Sequence, residues 1–463
     1  MPKSAQSSEL TGWTILGRLG LFVFLVYWFL VGVKLFGGAM GLAGGGVMES
    51  LQSGFSNPFA GLAIGIFATA IMQSSSATTS LVVTMVGAGQ MSLACGIPIV
   101  MGANVGSTIT CTMVAMAHVG DRKVFSRVLA CSNVHDIFNM LVVAILFPTE
   151  VLSRQYFGVG FLEYTATYLT QFVSSGASAE GVSFMNPIAL AVDPTYEFFM
   201  EFFKWLPLFV GGWKSLPALV FSLALILVSL VYITTNMRVL MAGKMEVWLN
   251  KVLKQHGYVG IAIGALITMI VQSSSITTSL LVPMYAAGVL NAYAAFPLLL
   301  GANIGTTITG LLASTVCNSS AGVTVALVHT LFNVCGVLIF YPLPFMRKIP
   351  IYLSHLLATL IERNRIWAFV FVAMMFFIIP GSGILIWRDA PAEGQGIEKA
   401  EGAEKTEDSG IINPKMIDQK VDQSGGQSAG QGVDSVESND CAESEQERQR
   451  EHSSPSDKSQ VTH

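Results

Sequence analysis

The chain has 463 residues, of which 52% are apolar and only 12% charged, with a net charge of −4. A soluble domain carries about 25% charged residues, so an ordinary soluble enzyme or binding module is excluded at the outset. The charges also divide two materials. Residues 388–463 hold 17 acids against 8 bases, whereas residues 1–387 hold 12 acids against 17 bases. The front has the composition of a polytopic membrane protein and the back that of a solvated acidic tail. No basic patch with interleaved aromatics suits a nucleic acid. Cys95, Cys111, Cys131, Cys317, Cys335 and Cys441 lack the clustered spacing of a zinc site or disulfide framework and read as small core residues.

In chain order, the first apolar run covers Leu16 to Phe36, near the ~20 residues that cross a bilayer. It exceeds the ~7–15-residue apolar core of a signal peptide, so 1–56 is predicted to be a retained anchor helix and its linker. Apolar runs at 57–72, 78–90, 93–117 and 128–149 form a first repeat over 57–149. The mixed stretch 150–215 is predicted as an external loop between repeats. Residues 216–257 supply a transmembrane helix followed by a basic amphipathic stretch, Arg238 to His256, placed in the interface plane. A second repeat covers 258–346. Residues 347–387 combine another interfacial helix, Arg347 to Arg365, with the last transmembrane helix, where Ile379-Pro380-Gly381-Ser382 leaves open whether the chain turns back. From 388 to 463 the composition cannot bury enough apolar surface to offset chain entropy, and a disordered tail is predicted.

The strongest feature is duplication. Gly61–Thr110 aligns without gaps to Gly260–Thr309 at an offset of 199, with 26 of 50 positions identical. Gln73-Ser74-Ser75-Ser76 faces Gln272-Ser273-Ser274-Ser275, and Gly102-Ala103-Asn104-Val105-Gly106 faces Gly301-Ala302-Asn303-Ile304-Gly305. Further on, His135 to Asn139 faces His329 to Asn333 at an offset of 194. Apolar runs resemble each other cheaply, but two copies of a polar block inside them do not. Repeated halves with matching interruptions point to a secondary transporter whose site lies where the repeats meet. The basic flanks exchange sides between copies. Arg122, Lys123 and Arg127 follow the first Gly-Ala-Asn segment, whereas Lys244, Lys251 and Lys254 precede the second repeat. By the positive-inside rule, that is the pattern of inverted topology.

Each unpartnered hydroxyl or amide in lipid costs several kcal/mol, so the Gln-Ser-Ser-Ser blocks require a reason. Back-bonding to helix carbonyls suits one or two hydroxyls. A re-entrant hairpin in each copy, its tip presenting hydroxyls and free N–H groups at mid-membrane, suits the whole block. Two facing tips would hold an anion from both sides. With no Arg or Lys nearby, its charge would be balanced by sodium, a hard cation for amide, hydroxyl and carbonyl oxygens. The Gly-Ala-Asn segments read as helix interruptions, with close helix packing as the alternative. Asp136, intramembrane and replaced by Thr330 in the second copy, is a candidate for an extra cation. Asp121 reads by spacing as a surface acid, and His135 and His329 as packing histidines. A nucleophile elbow and metal-ligand spacing are both missing, so no catalytic residue is assigned.

These blocks, with Val119-Gly120-Asp121-Arg122 and Val134-His135-Asp136-Ile137-Phe138-Asn139, resemble the type II sodium-phosphate cotransporters, particularly the shorter bacterial members, over about residues 13–387. The resemblance implies sodium–phosphate symport by alternating access in a bacterial inner membrane, with no cofactor beyond the coupling sodium ions. It places Ser74, Ser75, Ser273 and Ser274 on phosphate; Ser76, Ser275, Asn104 and Asn303 complete that candidate set. It implies one sodium site at Gln272, Thr306 and Thr309 and part of a second at Asp121 and Asn139. Gln73 and Asp136 are added as sodium ligands, Asp136 matching the aspartate of electrogenic members. His118 and Ala302 depart from the family pattern. The 150–205 stretch has no cysteine, so the loop disulfide of animal members is absent. A carrier of another oxyanion or a dicarboxylate, and an anion channel, are the rival readings. The oligomeric state, a homodimer included, is left open.

Overall fold

Lipid offers no partner to backbone N–H and C=O groups, so a chain this apolar must satisfy them within helices. The computed structural model describes residues 12–42, 57–178, 187–205, 215–252, 257–317 and 319–387, with the side chains of 173–178 and 242–252 left aside. Among them all regular structure is helical, without a strand. The acidic tail, with its predicted disorder, and all of the 43–56 linker lie outside the described residues.

The anchor helix α1 runs Gly12–Leu42. The first copy follows with α2 (Pro58–Met72), α3 (Ser75–Gly87), α4 (Leu93–Gly106), α5 (Ile109–Met116) and α6 (Arg122–Phe157). Next come α7 (Phe161–Ser178), α8 (Pro187–Trp205) and α9 (Leu216–Val252). The second copy repeats the order with α10 (Gly257–Val271), α11 (Ser274–Ser279), α12 (Val282–Ala286), α13 (Ala292–Ser314) and α14 (Ser320–Phe340). The described chain closes with α15 (Pro344–Arg363), α16 (Ile366–Ala373) and α17 (Ile379–Trp387).

Seven helical stretches among the described residues are long and apolar enough to cross a membrane, and the chain is an integral multi-pass membrane protein. Outside these seven, the helices that open the copies, α2 and α10, have 15 residues each. At 1.5 Å per residue they reach about 22 Å, short of a ~30 Å hydrocarbon core. Local sequence explains their ends. Asn57 caps α2 through Phe59 N–H at 2.9 Å, and Pro58 sits at its first turn, where no N–H is missed. Ser74 and Ser273 cap α3 and α11 by accepting from Ala77 N–H and Ile276 N–H. Pro283 stands where α3 has Thr84, and the second hairpin's outgoing arm is accordingly split into α11 and α12.

The copies embrace each other. Within each, the short helix lies along the Gly-Ala-Asn helix, α2 on α4 and α10 on α13; across them, α7 packs on α14 and α15 on α6. α1 and α9, the long helices preceding each copy, pair with each other.

Three expectations are corrected. The described part of the 150–215 stretch is largely helix, not loop, because its apolar residues fall on one face: Leu162 and Ala166 of α7 and Val192, Met200 and Phe203 of α8 are buried. The basic stretch after Arg238 is not a separate interfacial helix as far as Val252, since α9 continues through it unbroken. The Gly-Ala-Asn segments are not interruptions. Gly102–Gly106 lies within α4, and α13 runs straight through Gly301–Gly305. Their glycines serve close packing. A Cβ at Gly102 would lie 2.1 Å from Leu62 O, and one at Gly301 2.0 Å from Ile261 O. The open question at Pro380 resolves as a single span: a π turn over Met374–Ile378 lets the helix pass the proline without reversing.

Candidate functional site

Gln73 and Gln272 are the only non-glycine residues with positive φ among the described residues, at 55° and 59°. Each ends an incoming arm, and each is followed by the capping serine of the outgoing arm. An L-residue there costs roughly 1–2 kcal/mol, and such strain clusters at ligand-binding positions. The arms are tied near their tips, Thr69 to Thr78 at 2.8 Å and Thr268 to Thr277 at 3.0 Å. Several hydroxyls also back-bond: Thr78 to Ser74 O, Ser80 to Ser76 O and Thr277 to Ser273 O. The hydroxyls of Ser75, Ser76 and Ser274, all buried residues, bond to no other described residue and remain available.

The copies join at a threonine. Thr110 Oγ1 donates to Gln73 Oε1 at 3.2 Å, and Ser275 Oγ donates to Thr110 Oγ1 at 3.5 Å. One hydroxyl thus connects the two Gln-Ser-Ser-Ser tips. Its counterpart Thr309 donates to Gln272 Oε1 at 3.4 Å. The tips differ in access, Gln73 being exposed and Gln272 only 6% exposed. Thr110 was not singled out in the sequence, although its identity with Thr309 at the common offset was signal enough.

Behind the tips lies a buried knot of amides and imidazoles. His135 Nε2 meets Asn303 Oδ1 at 2.6 Å, and His329 Nε2 meets Asn104 Oδ1 at 3.3 Å. An amide oxygen only accepts, so each imidazole donates through Nε2. Asn303 Nδ2 donates to Asn139 Oδ1, and Asn104 Nδ2 to Val100 O. Asn104 and Asn303 therefore have both side-chain atoms engaged. They link the two copies to each other through these bonds.

Asp136 is wholly buried. Thr112 Oγ1 donates to its Oδ2 at 2.5 Å and lies 3.2 Å from Asn133 Oδ1. Asp136 Oδ1 has no partner among the described residues, nor does Ser132 Oγ. These are oxygen atoms of the kind a hard cation takes. Thr112, adjoining the tips through α5, is a second residue that spacing alone missed. Gln272 and Thr309 are brought together as expected, while Thr306 Oγ1 turns to Ala302 O at 2.8 Å. Asp121 is displaced from the centre. It is exposed and caps α6, accepting from Lys123 N–H and Val124 N–H at 3.0 and 3.2 Å. Asn139 stands far along the same unbroken helix, roughly 27 Å away at 1.5 Å per residue. The two cannot share one ion. The sequence reading missed this because it began that helix at residue 128, beyond the cap.

A multi-pass helical membrane protein of two like copies, meeting at twin polar tips, is the class that fold and site define. The family model described as Na+/Pi-cotransporter matches residues 28–171 and 225–361, one segment across each copy. The chain belongs to this family. It is 30% identical over 458 residues to human (Homo sapiens) sodium-dependent phosphate transport protein 2B, covering 81% of this chain and 66% of that protein. It is 30% identical over 457 residues to the 2A protein of Ovis aries, covering 84% and 71%, and over 450 residues to that of Rattus norvegicus, covering 82% and 69%. The chain thus spans about two-thirds of the length of these relatives. No solved structure matches it.

Proposed function

We propose that this chain is a sodium-coupled symporter of inorganic phosphate, working by alternating access between two copies of inverted topology in a bacterial inner membrane. The observation that carries the reading is the Gln73–Thr110–Ser275 connection, which sets the two serine tips against each other. Phosphate would lie between Ser74, Ser75 and Ser76 on one side and Ser273, Ser274 and Ser275 on the other. The free N–H groups at the start of α3 favour its charge. Sodium would take the Gln272–Thr309 oxygens and, separately, Asp136 Oδ1. The relatives' names, sodium-dependent phosphate transport proteins, support this choice of ion and solute. The reciprocal packing of α7 on α14 and α15 on α6 supports the pseudo-two-fold relation.

Radiolabelled phosphate uptake into proteoliposomes tests the proposal. An inward sodium gradient is expected to drive accumulation, and uptake that ignored sodium would overturn it. Arsenate should compete, whereas sulfate or succinate should not. Ser75→Ala and Ser274→Ala are each expected to weaken uptake about tenfold, the effect of removing ~1.4 kcal/mol of binding; wild-type uptake in both would sink the paired-tip site.

A carboxylate present in only one copy should move charge. Asp136→Asn is expected to lower the current carried per phosphate while leaving some flux, read by parallel current and tracer measurements. An unchanged ratio would remove Asp136 from the coupling pathway.

A further inference from the structure

Between α4 and α5, which form one span over Leu93–Met116, the backbone stays right-handed helical but the i→i−4 ladder breaks for one turn at Ser107-Thr108, and this local break has no cause in its own sequence. Ser107-Thr108 there corresponds to Thr306-Thr307, through which α13 passes uninterrupted. The preceding glycines, Gly106 and Gly305, match, and neither pair contains proline. What differs is the side chain set against the helix. Asn139 Nδ2 donates to the Asn104 carbonyl at 3.0 Å, joined by Ser107 Oγ at 2.8 Å. In an α-helix that carbonyl would take the Thr108 N–H, but Thr108 N–H bonds Val105 O at 3.2 Å instead. Asn139 thus occupies an acceptor that the break has vacated. A side chain inserted into the backbone ladder is a recognised cause of helix interruption.

The second copy holds the same residues in the opposite arrangement. Asn333 Nδ2 stays on His329 O of its own helix at 3.1 Å and reaches Asn104 Oδ1 at 3.2 Å. The Asn303 carbonyl remains inside continuous α13. The crossing amides divide likewise. Asn303 Nδ2 reaches Asn139 Oδ1 at 2.7 Å, whereas Asn104 Nδ2 folds back on Val100 O at 2.9 Å. Asn333 Oδ1 is consequently buried with no partner among the described residues, a costly state for an amide.

We infer that Asn139 and Asn333 are alternating wedges, positioning residues that decide which copy carries the interrupted turn. Here Asn139 is engaged and Asn333 idle. Exchanging their roles moves the break to Thr306–Thr307, hands the Asn303 carbonyl to Asn333 Nδ2, and supplies Asn333 Oδ1 with the Asn104 amide it lacks. Access follows the break. In the broken copy Gln73 is exposed and Met113 is 48% exposed; in the continuous copy Gln272 is buried and Leu312, the counterpart of Met113, is partly covered. The inference rests on the alternating-access reading and supplies the element that alternates.

Thiol labelling tests it, with single cysteines at Met113 or Leu312 in the full chain, its native cysteines replaced. Asn139→Leu keeps the branched shape and deletes the donor, together with the acceptor for Asn303 Nδ2. It is expected to slow labelling at 113 and speed it at 312 by about fivefold, the population shift produced by one lost hydrogen bond. Asn333→Leu is expected to do the reverse. A residue of merely structural importance would not move two sites in opposite directions. Asn139→Ala and Asn333→Ala replace any leucine variant that fails to elute as a single species. Shifts of one sign in both variants, or none in either, overturn the inference. The readout requires no flux, so reciprocal shifts in a chain that took up no phosphate would keep the wedges and lose the transported solute.

Discussion

Gly102→Ala and Gly301→Ala are each expected to prevent recovery of folded protein. The added methyl would meet Leu62 O at 2.1 Å or Ile261 O at 2.0 Å. A flexible side chain could move aside, but a carbonyl bound into a neighbouring helix moves only if the helix pair opens. Overpacking typically costs about 1–3 kcal/mol, more against a rigid obstacle, and whole proteins retain only about 5–15 kcal/mol. In membranes the pairing of helices relies on such close approach, because lipid removes the hydrophobic drive to associate. Gly120→Ala is the control, with nothing within 4 Å of its added Cβ. Gel filtration and thermal melting in detergent read the outcome. A Gly102→Ala protein that eluted and melted like the parent would refute the packing account.

Gln73→Gly is expected to separate stability from function. At φ 55° the backbone favours glycine, and the substitution should hold stability or raise it by up to about 1 kcal/mol. The side chain is exposed, so little buried area is lost. What disappears is the acceptor for Thr110, and with it the connection to Ser275. Sodium-driven phosphate uptake should fall about tenfold, equivalent to ~1.4 kcal/mol. Gln73→Ala should lose uptake without any gain in melting temperature, since alanine keeps the strain. Wild-type uptake in Gln73→Gly would show that the strained glutamine serves only the turn.

Much of the architecture was legible because its causes are local. Apolar runs marked the spans, and the two Gln-Ser-Ser-Ser blocks marked where each copy turns from one short helix into the next. The misreadings have local causes too. Gly-Ala-Asn resembles an interruption when read by conformational tolerance alone, and nothing adjacent in sequence announces the carbonyls that its glycines must approach. The amphipathic faces of α7 and α8 were diluted by Gly and Ser and passed for a loop. Asp121 and Asn139 were grouped although one helix holds them apart.

Duplication, membrane character and the identity of the twin polar blocks were determined by sequence alone, because repetition and hydropathy need no third dimension. Which hydroxyl meets which tip was decided only by tertiary structure. Thr110 reaches Ser275, and His135 reaches Asn303, between residues 165 and 168 positions apart. Two nearly equal copies also carry almost no instruction about which should be bent. That choice lies in the packing between them, where Asn139 bonds the Asn104 carbonyl while its counterpart Asn333 stays on His329 O of its own helix.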